Sequence, residues 1–495
     1  SVPDPYFDDN GFQEVFDTID LVFHDGVDWK AFLQSFEKVQ SENEDTELEF
    51  IGFENKGDGV FFVKVKVPSD ADKNKIHSQF MQFYKETLAL TAHQQKFLES
   101  LDREIQDLKS MFDRVVPKMT DKFAILNFGD GDFERGFAAV TAQIWSDEHP
   151  MPITVTGKLP PKPEILELYQ QWHQKYNHLR LCYQAQGRYF RIKPLPNQIK
   201  QVSFIDIPKL IEEIQDLANE LKVQVDRWLD LQEFSPIENK LRSNLNPGDR
   251  TQIIIQSEDI QMRNLPWHLW DFFEDYRKAE FAFSPTTGDR VTKSISPRKQ
   301  VRILAILGNS EEINIDEDRQ LLENLTHAET VFLVEPSRQK FDEALWDEKG
   351  WDILCFFFYI SSQWDGNSGY LEINQTEKLA IEQLKNALQT AIERGLHLAI
   401  FNSCDGLGLA QQLNNLHIPQ IIVMREFVPD LVAQEFLKHF LTAFSGGKSL
   451  HLSVREAREK LQSMEDKFPC ASWLPAICQN QAELPKTWQE LRDAG

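Results

Sequence analysis

From Val301 to Arg425 the chain alternates short apolar runs with amphipathic stretches, and no other feature of the sequence restricts the fold as strongly. VRILAIL (301–307), TVFLVE (330–335), DILCFFFY (352–359), HLAIFN (397–402) and PQIIVMR (419–425) read as buried strands. DEDRQLLENL, RQKFDEALW and EKLAIEQLKNALQTAIERG (377–395) lie between them with helical periodicity, the last ending on a glycine stop. Strands too apolar to expose either face, separated by helices, require a mostly parallel sheet covered on both sides. Crossovers of one hand then bring the strands' carboxyl ends to a single edge, where functional residues of such sheets collect. LGLAQQL (407–413) reads as a short helix, LEI as a short strand in an excursion, and 429–444 and 449–464 as further helices parted by Gly446-Gly447. The expected class is α/β.

Upstream the pattern is looser. Residues 1–60 hold 16 Asp and Glu against 3 Lys, so 1–45 reads as an acidic, flexible lead-in or as a docking surface for a basic partner. TELEFIGFENKGDGVFFVKVKVP (46–68) reads as two strands around the turn Lys56-Gly57-Asp58-Gly59, and a helical pattern follows over 71–116. Its stripe Leu101, Ile105, Leu108, Phe112, Val115 suits either packing on its own domain or self-association with a partner helix. The middle region is mixed α/β. It contains AILNFGDGDF, GFAAVTAQIW, a proline-rich joint in PITVTGKLPPKPEI, and a helix carrying Leu166, Leu168, Tyr169 and Trp172. Strands near 186–193 and 251–256, helices over 207–232 and the closing LPWHLW (265–270) complete it. Trp267 and Trp270 need burial, so this region should pack on the last one. The domains expected are 1–45, 46–120, 121–298 and 299–488.

A formal net charge of −25 repels nucleic-acid backbones and anionic membrane surfaces, so neither is an expected partner. Five cysteines without CxxC spacing argue against a disulfide framework and a zinc knot, so no metal and no cofactor is expected. Few cysteines, no long apolar run and the polar start SVPDPYFDDN point to the reducing cytoplasm. A protein or peptide is the remaining class of partner.

Two strand ends carry chemistry, Tyr359-Ile-Ser-Ser and Asn402-Ser-Cys-Asp-Gly406. A cysteine placed after a strand and before a short helix lies near amide N–H groups that favour thiolate and that can serve an oxyanion. Cys404 is thus a nucleophile or one more small buried residue. Asp405 is a helix cap or a ligand for a substrate cation. Arg425 and Glu426, at the next strand end, form a structural ion pair or contact substrate.

VRILAILGNSE, AETVFLVEP, WDIL, SSQWDG, LAIFNSCDGLGLA, IPQIIVMRE and FSGGKSL together resemble the CHAT family of caspase-like cysteine peptidase domains, especially cyanobacterial members. LPWHLW and TGKLPP extend a weaker likeness back to about residue 122. The resemblance implies a caspase-like sheet in 299–488 and a catalytic pair of histidine and cysteine on successive strand ends. Cys404 matches the family nucleophile. The family histidine, in a motif resembling FFAGHSS between WDIL and SSQWDG, falls on Tyr359; its preceding glycine falls on Phe358, and Ile360 follows. A phenol with a pKa of ~10 takes no proton from a thiol near pH 7, whereas imidazole at ~6.5 does. The resemblance therefore implies either an impaired peptidase kept as a regulatory or peptide-binding module of a signalling assembly, or an active endopeptidase with an unconventional or partner-supplied base. His327, His397 and His417 each precede a strand and belong at the opposite edge; His268, His439 and His451 lie on other elements.

Overall fold

The computed structural model describes residues 16–23, 27–43, 48–57, 60–68, 71–89, 121–146, 149–187, 190–191, 206–293, 298–308, 315–357, 360–362, 369–402 and 417–493. The chain divides into two compact units, Ser1–Lys118 and Met119–Gly495.

In the first unit, β1 (Phe16–Phe23), β2 (Glu49–Gly57) and β3 (Val60–Pro68) form an antiparallel sheet with β3 in the middle. β2 and β3 are the two strands expected over 46–68. Alternation decides the inner face: Ile19, Leu21 and Phe23 on β1 and Val63, Val65 and Val67 on β3 are buried. The helix Trp29–Glu42 starts where the Asp28 carboxylate accepts the amides of Lys30 and Ala31, each at 3.0 Å. It buries Ala31, Phe32 and Val39 against the sheet's core. A second helix spans 73–89, with Ile76, Phe80 and Tyr84 in that core. Strand and helix thus stand within the stretch that composition suggested as a flexible lead-in. The acids there, such as Asp20 and Glu37, occupy exposed positions and leave the apolar periodicity intact. The stripe Leu101–Val115 lies outside the described residues.

The second unit is built on one sheet. Its strands are β4 (Asp121–Asn127), β5 (Phe137–Ser146), β6 (His149–Leu159), β7 (Arg250–Gln256), β8 (Ala279–Ser284), β9 (Val301–Leu307), β10 (Ala328–Val334), β11 (Ile353–Phe357), β15 (Leu398–Phe401), β16 (Gln420–Met424) and β17 (Pro475–Gln479). Three short strands after β11, namely β12 (Ile360–Ser362), β13 (Gly369–Glu372) and β14 (Lys378–Ala380), form a separate antiparallel sheet. Among the described residues the large sheet has eleven strands in the order β10-β9-β11-β15-β16-β17-β8-β7-β4-β5-β6. β10, β9, β11, β15 and β16 run parallel, as the alternation requires. β17 is antiparallel to β16 and parallel to β8, and β8, β7 and β4 continue parallel. No sheet boundary falls at 298/299: strands from 121–298 and 299–488 share one sheet, and Trp267 and Trp270 lie in the same apolar core as Ile303 and Ile422. The expected strand near 186–193 is reduced, among the described residues, to one bridge between Phe190 and Pro429.

β9 is buried along its whole length, and its one charged residue is accommodated by partners. Arg302 donates to Asp347 at 3.0 Å and to the Gly350 carbonyl at 2.6 Å, and its guanidinium lies 4.2 Å from the Trp351 ring centre. Gly350 begins the turn into β11 at φ +68°, and a Cβ there would stand 2.3 Å from the Arg394 carbonyl oxygen. Gly350→Ala is therefore expected to lower stability by on the order of 2–4 kcal/mol, through both the left-handed backbone and the clash, as read by urea unfolding. An unchanged midpoint would show that the turn re-forms elsewhere.

Candidate functional site

The site expected from the sequence lies at the carboxyl edge of β11 and β15. These strands are parallel neighbours, with Phe356 opposite Phe401 and their rings stacked 4.4 Å apart at 6°. The chain therefore leaves the sheet at adjacent positions after Phe357 and after Asn402. The Gly308 amide, following β9, donates to the Phe357 carbonyl at 2.9 Å, which draws a third strand end to the same place. Phe358, Tyr359, Cys404 and Asp405 lie outside the described residues, as does the helix expected over 407–413.

What surrounds these strand ends is well defined. Asn402 is buried, and its side-chain amide donates to the Ala433 carbonyl at 2.9 Å, tying β15 to the helix Asp430–Ser445. Its own carbonyl accepts Nη1 of Arg191 at 3.2 Å. Arg191 is wholly buried and also donates from Nε to Asp430 at 2.8 Å and from Nη2 to Asp318 at 2.5 Å. Burial opposes the guanidinium's charge, and the two carboxylates outweigh that opposition. Asp318, in the helix Ile315–Glu323, is pushed up by burial while Arg191 pulls the other way. The sequence reading missed Arg191. Its one available signal was a basic residue in the apolar context Tyr189-Phe190-Arg191-Ile192 of an acidic chain.

Arg425 and Glu426 sit at the end of β16 in an arrangement other than the two the sequence suggested. Arg425 donates from Nε to the Trp473 carbonyl at 2.8 Å and from Nη1 to the Asn264 carbonyl at 2.7 Å. Glu426 accepts the Tyr169 hydroxyl at 2.5 Å and meets Nδ1 of His173 at 3.0 Å. Both are buried, and each faces groups of the chain itself rather than the other. The physical reason is that a strand end covered by the helix Pro163–Ala185 must find partners inside the protein. Tyr169 is held well above the ordinary phenol range by burial and by the Glu426 charge, so it stays a donor. The same helix adds the Tyr176 hydroxyl to the Phe427 carbonyl at 2.7 Å and stacks Trp172 on Trp473 at 5.1 Å.

The six histidines weighed from the sequence lie at the amino edge of the sheet or on elements other than β11 and β15. His397 precedes β15 at the amino edge, is buried, and accepts the Lys486 amide on Nε2 at 2.9 Å. The His327 carbonyl accepts the Val301 amide at 2.9 Å at that same edge, and His417 precedes β16 at φ 61°. His268 packs between Phe281 and Trp473, its ring nitrogens buried and without partners among the described residues. Burial lowers His451 to about 3, and His439 pairs with Glu435 on its own helix. The described cysteines are equally unsuited to nucleophilic work. Cys182, Cys355, Cys470 and Cys478 are buried and unpaired, and burial pushes their thiols up, Cys478 to about 12.

The family model described as CHAT domain matches residues 224–489. The chain belongs to this family. No curated protein matches the chain. The CHAT match opens inside the helix Ile207–Leu229 and takes in β7, β8 and every later strand, which gives a caspase-like fold to the region holding both strand ends. β4, β5, β6, the helix Pro163–Ala185 and Arg191 lie before it.

Since Glu426 is held in the CHAT region by a helix from outside it, Tyr169→Phe should weaken the junction. The expected loss is about 1–3 kcal/mol in chemical denaturation, the cost of leaving a buried carboxylate short of a donor. A Tyr169→Phe protein as stable as the wild type would return Glu426 to the candidates for substrate contact.

Proposed function

We propose that this CHAT-domain protein is a caspase-like module with impaired peptidase chemistry, acting as a regulatory or peptide-binding unit in a signalling assembly. The resemblance of WDIL, SSQWDG and NSCDG to the family motifs carries the reading: it lays Tyr359 on the histidine position and Cys404 on the nucleophile position. The pairing of β11 with β15 supports it, because the two motif segments leave the sheet side by side. His397, buried at the amino edge of β15, and His451, buried on another element, add to it.

Imidazole activates the thiol and protonates the leaving amine, and such help is typically worth ~10²–10⁴-fold. Without it a thiol of pKa ~8.5 is only a few per cent thiolate at pH 7. A cleft that still presents oxyanion donors then binds extended peptide better than it cuts it. The second reading, an active endopeptidase using Cys404 with an unconventional or partner-supplied base, draws on that cysteine at the nucleophile position.

Wild-type protein is expected to show little or no cleavage of an unbiased peptide library, measured over time against Cys404→Ala. Tyr359→His alone should restore activity poorly, because Phe358 replaces the family glycine. Phe358→Gly with Tyr359→His should exceed either single change, the two acting as one unit. Robust wild-type cleavage that vanishes in Cys404→Ala would overturn the impaired-module reading in favour of the second.

A further inference from the structure

The geometry points to Arg191 as the positioning residue of the carboxyl edge: it enters from outside the CHAT match and fixes where the chain departs from β15 toward Cys404. This rests on the reading of that edge as the peptide site.

Three separate elements meet on one guanidinium. Asp318 comes from the helix after β9, Asp430 from the first turn of the helix after β16, and the Asn402 carbonyl from the last described residue of β15. The guanidinium also lies 5.8 Å from the ring centre of Phe357, the last residue of β11. Arg191 thus touches, in one residue, the continuation of four neighbouring parallel strands. Its backbone is fixed as well. The Arg191 amide donates to the Val428 carbonyl at 3.0 Å, and Phe190 bridges Pro429. The rigid fork of guanidinium donors suits this task, since Nε, Nη1 and Nη2 serve three acceptors at fixed angles. A single ammonium keeps the charge and loses that geometry.

A buried arginine between two buried carboxylates is a poor way to gain stability, because desolvating the three charges offsets most of their attraction. It is a good way to hold a unique arrangement. Oδ1 of Asp318 and Oδ1 of Asn402 are buried beside it without hydrogen-bond partners among the described residues.

The test uses the full chain and Arg191→Lys. The first readout is the rate at which iodoacetamide alkylates Cys404 under native conditions, assigned by peptide mass and by Cys404→Ala; Cys355 and Cys470 are the buried control thiols. The second is binding of an unbiased peptide library. With the fork gone, Cys404 should alkylate about tenfold faster while the controls stay protected, and peptide retention should fall. An unchanged Cys404 rate would overturn the proposal. So would a rise shared by Cys355 and Cys470, which would mark Arg191 as a structural residue whose loss opens the fold. If Arg191→Lys does not fold, Arg191→Met with Asp318→Asn and Asp430→Asn, which removes these three charges together, carries the same readouts. Wild-type protein that retains no peptide would end the peptide-site reading alone, and the alkylation rates would still decide the role of Arg191.

Discussion

The second unit depends on β17. On one side of it five strands run parallel in one direction, and on the other β8, β7 and β4 run parallel in the opposite sense. β17 joins the two blocks, yet it does so unequally: five residue pairs with β16 and a single pair, Cys478 with Phe283, with β8. Side chains close the weaker seam. Gln252 bonds Gln479, Gln256 donates to Gln481 at 2.6 Å, and Arg458 pairs with Glu280 at 2.8 Å, all across buried or half-buried surface. Arg455 adds bonds to the carbonyls of Phe273, Tyr276 and Ala279. Hydrogen bonds to charged groups contribute roughly 1.5–3 kcal/mol, but burying the charges costs a comparable amount. The net effect of the seam is register, which an apolar interface of the same area would leave free to slip.

That seam explains the fate of Arg425. Because β17 runs opposite to β16, it begins at the edge where β16 ends, and Trp473 and Leu474 arrive there with it. The Arg425 amide donates to the Leu474 carbonyl at 2.7 Å, and its guanidinium caps the Trp473 carbonyl. The corner is thereby sealed. Between β11 and β15 no such antiparallel strand intervenes: the neighbouring strands are parallel, and both chain ends leave the sheet side by side.

The sequence made part of this legible. Strands β9, β11, β15 and β16 could be read to within two residues or so because a strand buried on both faces leaves an unbroken apolar run; the half-buried edge strand β10 was read from its apolar run as well. β17 could not, since PAICQ is five residues without periodicity and its partners are set by topology. The order of β1 and the helix Trp29–Glu42 was obscured by the acid on their outer faces. At the site, the expectations for Cys404 and Tyr359, which both lie outside the described residues, came from the resemblance to the CHAT motifs. Arg191 did not, because its partners Asp318 and Asp430 are 127 and 239 residues away in sequence, and no local pattern encodes such a contact. Arg425 and Glu426 were correctly placed at a strand end. Their partners could not be foreseen without knowing which helix covers it.

The limits of the CHAT match and the limits of the physical unit differ for the same reason. The match starts at 224, whereas β7 takes β4 as its neighbour, and β4 carries β5 and β6 beyond it. A chain beginning at 224 would expose the whole edge of β7, an unpaired row of backbone donors and acceptors next to the buried run Ile253, Ile254, Ile255. It would strip Glu426 of Tyr169 and His173. It would also leave Asp318 and Asp430 buried without the cation between them, the arrangement that a low-dielectric interior tolerates least. Within the second unit, the segments from 121 to 191 are therefore part of the caspase-like unit in energetic terms, and they bear on its carboxyl edge directly. Both the helix Pro163–Ala185 and the Phe190–Arg191 segment hydrogen-bond directly to residues at strand ends, the first through Glu426 and the second through Asn402, so their positions and those of the strand ends are set together.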